Sequence, residues 1–125
     1  MTNLGDQGSG RAKQDETVWV LLNHVKADKL EVHRQFIFNV LMPAVQKVAP
    51  ELIHTVRFLE PTQPNDDGTY TSVWLMDPVV AGVDYSYVTL LTQAYGAEQA
   101  AEYIKLVDEY EVSLQTSYEL RQSSW

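Results

Sequence analysis

The chain has 125 residues, 45% of them hydrophobic, and a formal net charge of −8, with a pI near 4.7. That is the size and composition of one globular domain. The acidic balance opposes phosphate-led binding to nucleic acid, which needs clustered Lys and Arg. The lack of cysteine excludes disulfides, thiolate catalysis and Cys-ligated metal sites.

Residues 1–16 are polar, with three glycines (Gly5, Gly8, Gly10) and no apolar segment of signal-peptide type. A flexible arm is expected there, because it offers little to bury. Residues 17–125 are left as a single domain. No run approaches the roughly 18 apolar residues that a membrane span requires, so a cytoplasmic protein with no membrane or nucleic-acid partner is expected.

Thr17–Val25 is rich in β-branched and aromatic residues and apolar on both parities, the pattern of a strand buried on both faces. Its two sides are Val18, Val20, Leu22, His24 and Trp19, Leu21, Asn23, Val25. Asp28 is the expected N-cap of a helix running to Val48, with Glu31 completing a capping box. Leu30, Phe36, Ile37, Val40, Leu41 and Ala44 form its apolar stripe. Pro43 is expected to kink the helix near Asn39, and Pro50 to stop it. His33 reads as a solvated surface residue.

Strands at Ile53–Glu60 and Thr69–Asp77, joined by the Pro-, Asn-, Asp- and Gly-rich stretch Pro61–Gly68, make a hairpin. Tyr85–Ala94 has helical spacing, Gly96 is a joint, and Ala97–Leu114 is a second helical pattern. Ser117–Gln122 closes the chain as a short edge strand. The order βαββαβ is the split-βαβ arrangement. It predicts an α+β fold with one four-stranded antiparallel sheet and both helices on one face. The other face carries apolar residues and needs a cover, which a second copy supplies symmetrically.

In this element order, in its small size and in strands apolar on both faces, the chain resembles the dimeric α+β barrel superfamily, of ferredoxin-like fold. Its members include antibiotic-biosynthesis and heme-degrading monooxygenases and stress-responsive barrel proteins. The resemblance spans Thr17–Gln122 and implies a homodimer. The heme-degrading members place an Asn on the first strand and a Trp on the third, matched here by Asn23 and Trp74. Their third residue, a His on the following helix, has no counterpart, since no histidine follows His54. Heme is therefore not expected.

The chain holds no G-x-S-x-G, no glycine-rich phosphate loop and no H-E-x-x-H. His24, His33 and His54 show no ligand spacing, so neither a metal nor a cofactor is expected. The polar residues inside strands are the better candidates, because a buried Asn or Arg must be partnered. The expected activity is that of a cofactor-independent monooxygenase or isomerase on a small, flat, hydrophobic substrate. Asn23, Arg57 and Trp74 would bind the substrate, and His24 or His54 would act as general base. As the cation of a pocket, Arg57 would draw an anionic or enolate-like ligand. The alternative is a non-enzymatic ligand-binding or stress-response module, in which Arg57 pairs with Glu60 or Asp77 and Trp74 is core. The tyrosines from Tyr85 to Tyr118 are either edge-of-core packing or hydroxyls at a pocket mouth.

Overall fold

Strand β1 (Thr17–Val25) is the strand around which the sheet is built. The computed structural model describes residues 11–124. On one side β1 pairs antiparallel with β3 (Tyr70–Met76), from Trp19 opposite Met76 to Val25 opposite Tyr70. On its other side it pairs antiparallel with β4 (Thr116–Arg121), from Thr17 opposite Arg121 to Leu22 opposite Thr116. Strand β2 (Val56–Leu59) adds to the far edge of β3. The order is β2-β3-β1-β4, an α+β fold with a four-stranded antiparallel sheet. The two strands apolar on both parities are the two central ones of the sheet.

A continuous helical rod links β1 to β2. It runs through α1 (Leu30–Phe36), a π-helical segment (Ile37–Leu41) and α2 (Met42–Val48). Pro43 acts by widening the rod rather than only bending it. It lies in the first turn of α2, and just before it the Met42 N–H donates to Ile37 O, a bond one residue longer than the α-helical one. The helix begins at Leu30, with Lys29 as N-cap and no side-chain cap bond. The capping box expected from Asp28 and Glu31 is therefore not formed. Turn formation between Lys26 and Lys29 moves the helix start past Asp28.

The stretch expected as the start of a strand at Ile53 is instead the last part of a 3₁₀ turn, Pro50–His54. Its β-type residues are overruled by Leu52, 1% exposed, which packs with Ala49 and Leu90. Burying that leucine requires the tight turn that Pro50 opens.

Helices α3 (Tyr87–Tyr95) and α4 (Ala97–Tyr110) meet at Gly96, whose φ of 91° suits glycine alone. The second helical pattern ends at Tyr110, not Leu114. There the Val112 N–H donates to His24 O and the Lys26 N–H to Tyr110 O, and Val25 bridges Glu111. Pairing with the end of β1 takes over the backbone groups that another helical turn would use, and Leu114 is left exposed.

The helices cover one sheet face. Val25, Trp74 and Met76 pack there against Phe36, Ile37, Leu91 and Val107. By strand alternation the opposite face carries Val18, Val20, Leu22, Val73 and Leu75, all half-buried, and the exposed Leu59 and Leu120. Of the expected arm, residues 1–10 lie outside the described residues. Beyond them, Ala12 N donates to Asp77 Oδ1 at 2.7 Å, and Asp15 and Gln122 join the arm to the end of β4. Among the described residues no helix is long and apolar enough to cross a membrane.

Candidate functional site

Between the sheet and the helices lies a cavity of about 200 Å³. β1 supplies Leu21 and Asn23, β3 supplies Trp74 and Met76, and the helices close it with residues such as Phe36, Leu41, Val45 and Leu90. Strand alternation puts Leu21 and Asn23 on one face, and register places Trp74 directly beside Leu21. The walls are thus apolar because the site is cut out of the core itself.

Its polar groups gather where α4 ends and the chain turns toward β4. Asn23, 4% exposed, accepts a 2.7 Å hydrogen bond through Oδ1 from Gln115 Nε2. Glu111 lines the cavity one residue past α4, and burial first, then the neighbouring Asp108, holds its carboxyl above the usual range. Tyr110, 3% exposed, also lines it, and burial pushes its phenol up. Tyr87 shifts the same way, mainly by burial. Among the described residues neither the Tyr110 hydroxyl nor the Trp74 indole N–H has a hydrogen-bond partner.

A shallower groove continues outward over β1 and β4. It shares Leu21, Tyr85 and Gln115 with the cavity and adds Trp19 and Glu119. Trp19 stacks edge-on against Tyr85 at 5.3 Å and donates from Nε1 to Glu119 Oε1 at 2.9 Å. Tyr85 is fixed by accepting from Val80 N at 2.8 Å.

Of the five residues expected at a site, the fold brings Asn23 and Trp74 together at the cavity and leaves the other three outside it. His24 lies on the opposite sheet face, its Nε2 3.0 Å from Thr116 Oγ1. His54 ends the 3₁₀ turn and is exposed. Arg57 alternates away from Val56 and Phe58 and ion-pairs with Asp77 at 2.6 Å, while Glu60 is taken by Arg34. This is the ion pair with Asp77 expected under the alternative reading of Arg57.

His33 departs most from expectation. It is 1% exposed, with Nε2 2.9 Å from Ser72 Oγ and rings of Tyr110 and Phe58 edge-on at 4.8 and 5.7 Å. A spacing signal was available. His33 stands three and four residues before Phe36 and Ile37, on the same apolar stripe. Glu111 and Gln115 carried no such signal, since only the end of α4 determines where they fall. Among the described residues no three of His, Asp and Glu converge to hold a metal ion. No family model, no curated protein and no solved structure matches this chain.

Proposed function

We propose that two copies of this chain pack through their open sheet faces into a ferredoxin-like dimeric α+β barrel, each copy binding one small, flat, mostly apolar molecule in its cavity. The cavity is the observation that carries the binding reading. Its walls are apolar, yet it keeps an unpartnered indole N–H and phenol to orient a ligand. A dry cavity of about 150 Å³ already takes benzene, so 200 Å³ suits one aromatic ring with a short substituent. The ferredoxin-like reading is supported by connectivity. β1 and β2 both run antiparallel to β3, which lies between them, and the helical rod joins them.

Binding without turnover is favoured by the placement of His24 and His54, neither of which lines the cavity. One observation favours the second reading, a cofactor-independent monooxygenase or isomerase. Glu111, its carboxyl raised by burial, is a general acid–base candidate at the cavity wall. The test is calorimetry with small aromatics such as p-cresol and indole on the wild type and on Val45→Phe, which fills the cavity from α2. Binding to the wild type alone supports the reading, and no binding to either overturns it.

A further inference from the structure

The cavity and its outer groove contain carboxylates and aromatic faces but no cation. Glu111 stands on the inner wall and Glu119 on the outer one, with Trp19, Tyr85, Tyr87 and Tyr110 around them. Among the described residues no Lys, Arg or His lines either compartment, and Arg57 is committed to Asp77 on the opposite face. We infer that the ligand is an organic cation of the arylalkylamine class, its ring in the inner cavity and its ammonium beside Glu111, where α4 ends. The inference rests on the binding reading above and adds the ligand's charge and orientation.

Three features of the end of α4 point the same way. First, Glu111 is half-buried with only acidic or phenolic groups acting on it, Asp108 chief among them. A bound cation would supply the missing counter-charge. Second, Tyr110 is 3% exposed and its hydroxyl has no partner among the described residues. A phenol oxygen facing a cavity can accept from an N–H⁺. Third, α4 ends at Tyr110 beside the cavity. Its C-terminus is the negative end of a 14-residue helix, and although Tyr110 O accepts from Lys26 N, no basic residue stands in its last turn.

A positive helix end beside the cavity is partly capped. At the N-terminus of α3, Asp84 Oδ1 accepts from Ser86 N at 2.9 Å, and Ser86 Oγ accepts from Thr89 N. An anionic ligand would meet the Glu111 carboxylate with no Lys, Arg or His among the described lining residues to offset it, so the enolate-like ligand expected from Arg57 is disfavoured.

The experiment compares three probes of one shape by calorimetry at neutral pH: 2-phenylethylamine, 2-phenylethanol and phenylacetate. The amine is expected to bind at least about tenfold more tightly than the alcohol, and phenylacetate at least about tenfold more weakly. Glu111→Gln is expected to bring the amine to the affinity that the alcohol shows on the same variant. A readout that needs no variant is salt. Raising it to about 0.5 M should shrink the amine's advantage on the wild type, because the charge pair with Glu111 is screened. If the alcohol binds as well as the amine, or phenylacetate binds best, the cation inference is overturned and the cavity reading stands. If none of the three binds, both fall together.

Discussion

His33 on α1 and Ser72 on β3 meet with Nε2 2.9 Å from Oγ, and both are buried to 1% or less. This bond ties the first helix to a central strand at the heart of the core. It leaves His33 Nδ1 as a buried nitrogen without a partner. Desolvation makes the charged ring costly and lowers its pKa from 6.5 to about 4, against a smaller opposing pull from Glu60.

A pH dependence of stability follows, with a definite sign. Between pH 6.5 and 4 the unfolded chain binds a proton on this residue that the folded chain refuses. Stability from this group is therefore full above pH 6.5 and falls as pH drops toward 4, by up to roughly 3 kcal/mol. Urea unfolding across that range should show the decline, and His33→Gln should flatten it. An equal slope in the variant would assign the decline to other groups.

Trp74 is 6% exposed, stacks at 4.7 Å on Phe58 and lines the cavity. Trp74→Ala should cost about 3–5 kcal/mol, because the lost side chain joins an existing void and the site cannot collapse. Chemical denaturation measures this directly, and wild-type stability in the variant would place the indole outside the core.

Asp77 holds two donors at once, Arg57 at 2.6 Å and Ala12 N at 2.7 Å. Asp77→Ala should cost about 1–3 kcal/mol, since it leaves the buried Ala12 N–H unsatisfied. Arg57→Lys should cost under about 1 kcal/mol because the guanidinium is half exposed. It should leave calorimetric binding of aromatic probes unaltered. A change in affinity on Arg57→Lys would return the arginine to the site.

Leu75 lies on β3 in the open face, opposite Val20 and Arg57. If that face joins two copies, Leu75→Glu sets a charged side chain against the apolar face of the second copy and should yield monomers by light scattering. The wild type should scatter at twice the 14.2 kDa chain mass. A stable pair is expected to bury about 1,200 Å² or more, and a wild type already monomeric at micromolar concentration sinks the dimer.

The order of elements was legible in the chain because periodicity is local. The β-branched and aromatic run Thr17–Val25, the stripe from Phe36 to Ala44 and the joint at Gly96 are all patterns set within a few residues of one another. Asn23 and Trp74 were legible as candidates for the same reason, being polar-bearing side chains set in apolar strands. A period of two separates two sets of residues without saying which set meets the helices. Only the packed sheet turned Asn23 inward and sent His24 and Arg57 to the opposite face. His33 looked like surface because histidine is polar, but its place on the apolar stripe buried it against Ser72. The strand expected at Ile53 became a tight turn because Leu52 had a core to enter. The cavity itself was written nowhere along the chain, since it exists only where β1, β3, α2, α3 and the end of α4 fail to fill the space between them. Its acidic wall depends on where α4 stops, and α4 stops where the end of β1, distant in sequence, claims its backbone groups.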